Sequence, residues 1–575
     1  MTDRGSRIAL LVIIFVFLIV LPLIALMNIS VKPVPSAFKG DSIAVVLSIR
    51  GELYDYEPYF APGMIFGGKP TSLVDIVGLL NDVAKDRRAK VVVIKLFPST
   101  AGVAKCEEIE SAVKRIQEAG KSVYVFSPII SGTEYRIASA ADSIFMPSSG
   151  YLITPGYATS AMFMKGTLDK LGIKPNFDRI GEYKSAPETY TEKKYTTKSR
   201  NMIKWLLEDL YVRFINSVAE NRSVNTEIVR SWVDRAVFSP QTALENGLID
   251  KIKHWDQIVD DLEAKGLKVV GASKYSRNYL RRAGSTSRIA VVHAQGVITM
   301  GKSGFDFSSG VRMGSESVVE ELRRVRKDKR VKAVVLRVDS PGGDAIASDL
   351  ISREVAITSQ VKPVVVSMSD VAASGGYEIS FRADKIVANP STLTGSIGSF
   401  MGKFNMRGFY NKLGFTKDEI GYGDKSLIFS DYRDFSDDEW KVIREEHWNF
   451  YRHWIEEIAK YRGMSVSRVD SLGRGRVWTG RQALENGLID EIGGLYDAIK
   501  LACRLAGVDS NRVAVVHYPT RISILRRLLG GELIDDMICY KLYRLARGHG
   551  NHMTFMRLTD ERFWRREGLL MPGGR

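Results

Sequence analysis

The octapeptide ALENGLID occurs twice in this chain, at residues 243–250 and again at 483–490. Other segments recur at nearly the same offset. SIAVVLSIRGEL from Ser42 is matched by RIAVVHAQGVI from Arg288, AKVVVIKLFPSTAG from Ala89 by VKAVVLRVDSPGG from Val331, and LDKLGI from Leu168 by YNKLGF from Tyr410. A repeat unit of more than 200 residues means two similar domains, because short repeats stack while units of this size carry their own core. The expected organisation is a first domain over 40–270, a linker over 271–287 and a second domain over 288–505. The linker GASKYSRNYLRRAGSTS is polar, contains glycine and has little periodicity.

Within each repeat, short runs of β-branched residues alternate with helical patterns. VKAVVLRV and KPVVVSM are continuous apolar runs, as strands buried on both faces require. SESVVEELRRVRKD and DLISREVAITSQ carry apolar residues at helical spacing. That alternation predicts an α/β fold, each domain holding a parallel sheet with crossover helices. Active sites of such sheets gather at the carboxyl ends of strands. DSPGGD (339–344) and ASGGY (373–377) are both expected there.

Residues 8–29, IALLVIIFVFLIVLPLIALMNI, carry no charge and are long enough to cross ~30 Å of hydrocarbon as a helix. Arg4 and Arg7 precede them, which favours the N-terminus inside. No A-x-A cleavage site follows the run, so an uncleaved signal-anchor with its stalk, residues 1–39, is expected rather than a cleaved signal peptide. The rest of the chain would then lie outside the cytoplasm. The formal net charge of +16 is spread among acidic residues with no basic block and no nucleic-acid motif. It suits a surface facing anionic lipid better than a nucleic acid. Cys106, Cys503 and Cys539 form no CxxC pair, the seven histidines show no metal-ligand spacing, and neither GxGxxG nor GxxxxGK[ST] is present. Neither a metal nor a cofactor is expected.

Ser374 in DVAASGGYEIS stands where a strand ends and a helix begins. The first N–H groups of a helix are unpaired and favour negative charge. A serine there can attack a carbonyl while nearby N–H groups hold the oxyanion. Gly375 is one candidate donor and Gly342 of SPGG another, since glycine lets backbone approach substrate closely. The serine needs a base. His293 follows a β-type run, and His447 and His453 sit in the aromatic stretch EEHWNFYRHW, so packing or surface roles are expected for all three. A lysine serves as base if burial lowers its pKa toward neutrality.

DSPGGDA, AASGGYEIS, NPSTLTGSIG and RIGEYKSAPE, in that tandem, anchored arrangement, resemble the S49 serine peptidases, the bacterial signal peptide peptidases or protease IV enzymes. The resemblance covers roughly 40–505 and is closest to the long, tandem-domain form. It implies a fold like the Clp protease and crotonase domains, Ser374 as nucleophile, Lys184 as general base and Ser396 as the group that orients the lysine. Lysine and serine then come from different repeats, with the active site between them. It also implies a single-pass protein of the bacterial inner membrane with periplasmic catalytic domains, acting on hydrophobic peptides such as signal-peptide remnants. Assembly into a ring or bowl of chains, such as a tetramer, would follow.

The repeat offers a check on these roles. At an offset of 242, Ser374 corresponds to Gly132, so the first repeat has lost a nucleophile there. At 241, Lys184 corresponds to Lys425, which makes Lys425 the rival base. GEYKSAP around Lys184 fits the family pattern better than GYGDKSLI around Lys425. Two other readings stay open: a non-catalytic membrane scaffold of the same fold, and a crotonase-type acyl-CoA enzyme. The tail 506–575 mixes apolar and basic residues at roughly helical spacing, which fits a membrane-surface helix or a helix packed on the second domain.

Overall fold

The computed structural model describes residues 42–56, 72–279, 287–306 and 310–520. The expected anchor at 8–29, most of the expected linker and the tail beyond 520 lie outside the described residues. No helix among the described residues is long and apolar enough to cross a membrane.

The first repeat builds a six-stranded sheet. Its strands, in spatial order, are Lys268–Gly271, Ile43–Gly51, Ala89–Ser99, Ser122–Phe126, Ser143–Met146 and Lys251–Ile252. Every neighbouring pair is parallel. The second repeat builds the same series from Ala514–Tyr518, Arg288–Gln295, Val331–Ser340, Val364–Ala373, Lys385–Ala388 and Glu491–Ile492, again all parallel. The central strands bury both faces. Val331–Ser340 leaves only Lys332 exposed. Helices on both sides explain that double burial and the unbroken apolar runs of the sequence.

The repeats differ at one strand. Val364–Ala373 runs unbroken past the end of the sheet and pairs there with Leu393–Gly395, which pairs antiparallel with Val477–Thr479. In the first repeat, Pro128 interrupts the corresponding strand, because proline offers no N–H to a ladder. The part beyond, Ile129–Ser131, forms a separate small sheet with Tyr151–Ile153 and Val237–Phe238.

Two of the expected boundaries move. Residues 272–279, within the expected linker, form a helix whose Tyr275 is buried and hydrogen-bonds Asp86. Residues 514–518, within the expected tail, are the edge strand of the second sheet.

The repeats meet along two seams. In one, helix Val103–Glu118 of the first repeat delivers charged groups to strand ends of the second. Lys105 Nζ lies 2.7 Å from Asp339 and 2.9 Å from Asp370. Arg337, fully buried, grips Asp55 through both oxygens at 2.7 Å and Glu108 at 2.6 Å. In the other seam, strand Lys174–Arg179 of the first repeat pairs antiparallel with Phe400–Asn405 of the second. Phe177 packs edge-on against Phe400 and Phe404 across it. This ribbon carries the lysine limb across to the serine.

Candidate active site

Ser374 follows strand Val364–Ala373 and caps the short helix Gly375–Glu378. Its φ of 56° is one that non-glycine residues seldom adopt. Such a conformation costs ~1–3 kcal/mol and persists only where its surroundings hold it. Here the Ser374 N–H donates to the Gly395 carbonyl at 2.8 Å, and its carbonyl accepts from Tyr377 and Glu378 at 2.9 Å. The turn at Gly342, with φ 102°, lies against it. A Cβ at Gly342 would sit 2.8 Å from both the Gly375 nitrogen and Ser374 Cβ, so only glycine fits.

The turn bears on the two expected oxyanion donors. The Gly342 N–H donates to Ser340 Oγ at 3.1 Å, and that hydroxyl donates to the Gly296 carbonyl at 2.7 Å. Gly342 therefore gives close approach, but its N–H is engaged. The N–H groups of Gly343 and Gly375 meet no acceptor among the described residues.

Lys184 lies on the loop after strand Lys174–Arg179 and is buried. Its backbone is held from both sides. The Lys184 N–H donates to the Gly181 carbonyl at 3.2 Å, and the preceding Tyr183 N–H to Arg474 at 3.1 Å. Gly475 approaches so closely that a Cβ there would lie 2.4 Å from the Lys184 nitrogen. The Lys184 Nζ donates to Ser374 Oγ at 3.0 Å, to Ser396 Oγ at 3.2 Å and to the Ser396 carbonyl at 3.2 Å. These three acceptors satisfy an ammonium. A neutral amine keeps the two bonds to Ser396 and turns its lone pair to the Ser374 hydroxyl. None of the three is a carboxylate, and burial lowers the pKa of Lys184 to about 8.

Ser396, with φ 51°, is fixed by its N–H to the Arg476 carbonyl at 2.7 Å. One chain thus brings together Ser374, Lys184, Ser396 and the Gly342–Gly375 turn. Lys425, the rival base, is exposed in a run of turns and touches neither serine. Gly132 occupies the position of Ser374 in the first repeat, its N–H donating to the Ile153 carbonyl as that of Ser374 does to Gly395.

One set of contacts here was not foreseen in the sequence. His447, expected to pack or face solvent, is buried and bonded at both ring nitrogens, to Asp178 and to Ser399, each at 2.7 Å. Ser399 closes the GSIGS run whose first serine is Ser396, the one local hint. Among the described residues, no three His, Cys, Asp or Glu side chains gather as metal ligands would.

Two stretches, residues 115–269 and 356–509, match the model of the family described as Peptidase family S49. Lys184 lies in the first and Ser374 in the second. The chain belongs to peptidase family S49. It is 33% identical over 500 residues to the serine protease SPPA, chloroplastic, of Arabidopsis thaliana, covering 85% of this chain and 73% of that one. It is 30% identical over 456 residues to Protease 4 of Haemophilus influenzae, covering 76% and 73%. Among solved structures, a mutant ClpP1 from Listeria monocytogenes overlaps 37% of this chain and 94% of its own, at 16% identity and a TM-score of 0.25. This S49 chain is a serine peptidase.

Proposed function

We propose that this S49 peptidase is an endopeptidase with a Ser–Lys dyad, Ser374 as nucleophile and Lys184 as general base. The observation that carries this reading is the 3.0 Å contact between Lys184 Nζ and Ser374 Oγ, in a site with no carboxylate on the lysine. In the reacting form the amine is neutral. It takes the Ser374 proton as Oγ attacks the scissile carbonyl, and its N–H bonds to Ser396 keep the lone pair aimed. The N–H groups of Gly375 and of the Gly342–Gly343 turn hold the oxyanion, with the Gly343 N–H as the unengaged donor of that turn. The ammonium then protonates the leaving amine, and water hydrolyses the acyl-enzyme by the same route.

The substrate class is short hydrophobic peptides, signal-peptide remnants above all, met at the outer face of a bacterial inner membrane. The uncharged run 8–29 supports the tether. The chains assemble head to tail. Within one chain the strand 400–405 is paired, but its counterpart in the first repeat, 158–163, is not, and Met162 stands 63% exposed. The limb after KLG in the second repeat is equally bare, with Ile420 85% and Tyr422 97% exposed. Met202 of the first long helix is buried against Val477, while its counterpart Val442 in the second is exposed. One end of the chain thus offers what the other end lacks, and heterologous contacts of this kind make a ring where the rotation between neighbours closes.

A fluorophosphonate probe tests the dyad. It should label Ser374 in the full-length, detergent-solubilised protein and label neither Ser374→Ala nor Lys184→Met. A folded wild-type protein left unlabelled would defeat the reading. For the assembly, Ile420→Asp with Tyr422→Asp should reduce the native mass to that of one chain. An unchanged mass would reject this seam.

A further inference from the structure

Asp178, His447 and Ser399 are hydrogen-bonded beside the lysine limb, and the reaction above uses none of them. Asp178 is on strand Lys174–Arg179, six residues before Lys184. Ser399 immediately precedes strand Phe400–Asn405, three residues after Ser396. His447 comes from a third element, helix Asp437–Arg462. Its Nδ1 meets Asp178 Oδ2 at 2.7 Å and its Nε2 meets Ser399 Oγ at 2.7 Å. The backbones of the two limbs are also joined: Asp178 sits opposite Met401 in the ladder, and the Ile180 N–H donates to the Ser399 carbonyl at 2.9 Å.

A two-stranded ribbon twists easily, and alone it is marginal in water. Its hydrogen bonds fix the spacing of the limbs but not their tilt against the body of the second repeat. Beyond Ile180 the lysine limb has left the ladder, so any tilt is carried on to Lys184. A tie to the long helix, made where the ladder ends, removes that freedom.

We infer that His447 is a positioning residue: through Asp178 and Ser399 it sets the separation of Lys184 Nζ and Ser374 Oγ without touching either. This rests on the reading of those two groups as the reacting pair. The tie holds whichever protonation state the imidazole takes. Nδ1–H donates to the Asp178 carboxylate in both, while Nε2 accepts from the Ser399 hydroxyl when neutral and donates to it when charged. Arg444 Nε, 3.5 Å from Asp178 Oδ1, is the other charged group on that carboxylate. The Asp–His–Ser order is also that of a second nucleophile with its base. Ser399, however, leads into a strand, so it lacks the unpaired N–H that Gly375 presents beside Ser374.

The test compares His447→Ala, Asp178→Ala and the double variant in the full-length protein, on a fluorogenic apolar peptide, well below each melting temperature. A misplacement of about 1 Å costs up to ~10²-fold in rate. We expect kcat to fall ~10- to 100-fold with KM within about twofold, and probe labelling of Ser374 to slow in parallel. The double variant should be no worse than His447→Ala, and His447→Asn, whose amide still donates to Asp178, should recover part of kcat. Four results would overturn the inference: kcat within about twofold of wild type, additive losses, a loss explained by the unfolded fraction, or probe labelling at Ser399 in Ser374→Ala. Failure of the dyad reading shows itself separately, as hydrolysis retained by Ser374→Ala or Lys184→Met.

Discussion

The two repeats end the same strand in the same way and then diverge. Gly132 and Ser374 each close a strand with one N–H donated to a neighbouring strand, at 2.7 and 2.8 Å. Two residues on, the second repeat has Gly376, where a Cβ would lie 2.7 Å from the Ser340 carbonyl. The first repeat has Glu134 there. Its carboxylate accepts from the Ser99 N–H at 2.9 Å, the Ser99 hydroxyl at 3.0 Å and the Ser131 hydroxyl at 2.6 Å. A buried carboxylate thus sits in the turn where the second repeat has a bare glycine, and it would oppose a negative charge developing there. On the dyad reading, the missing hydroxyl is therefore only part of what separates the two turns. The polar groups beside Gly132, those of Ser99 and the Ser131 hydroxyl, have been given a fixed anion to hold.

The largest effect expected from breaking this contrast is at Ser374. Ser374→Ala should lower peptide hydrolysis by ~10³-fold or more with an unchanged melting curve, because the loss is of bond-making and not of packing. Activity above a few per cent of wild type would place the nucleophile elsewhere.

Next come the two lysines. Lys184→Met should be inactive and Lys425→Met active, measured on the same peptide. The reverse result would mean that the second repeat holds its own dyad. Lys184→Met should also be more stable at neutral pH. The folded pKa of about 8 lies below that of free lysine, so between the two values the unfolded chain binds a proton that the folded chain lacks. Stability therefore rises with pH across that window. Below it the site costs up to about 3 kcal/mol, which methionine removes. A melting temperature that falls in Lys184→Met would contradict the lowered pKa. For the wild type, kcat/KM should climb with pH through an apparent pKa near 8.

Between the repeats, Arg337→Met strands Asp55 and Glu108 in the buried seam. Removing one partner of such a set typically costs ~3–5 kcal/mol, readable as a shift of the urea midpoint. A shift of less than about 1 kcal/mol would mean that the seam relaxes or takes in water.

The smallest effect is the most pointed. Gly132→Ser restores a hydroxyl to the first repeat, yet it should yield no probe labelling and no hydrolysis when placed in Ser374→Ala. Lys425 is exposed and Glu134 still fills the turn. Any labelling at position 132 would show that the retired site needs only its nucleophile back.

Much of this was legible in the sequence because it is local. VKAVVLRV reads as a buried strand, and ASGGY as a strand end that needs small residues, with no knowledge of neighbours. Lys184 stands out in the sequence only through its surrounding motif, since its burial comes from contacts with the second repeat. What stayed hidden depends on tertiary partners. The helix 272–279 looked like linker because its sequence is polar, and the partner of its buried Tyr275 is Asp86, far back in the chain. The edge strand 514–518 looked like tail because it stands further from its counterpart, Lys268–Gly271, than the repeat offset allows. In His447, nothing in EEHWNFYRHW announces an aspartate 269 residues away.

The lysine and the serine that touch each other belong to different repeats, while each repeat's other half is gone or idle: glycine at 132, a solvent-facing lysine at 425. On the dyad reading this is mutual dependence, each domain supplying what the other lacks. Either half alone would then carry one member of the pair: the first a lysine without its serine, the second a serine without its buried lysine.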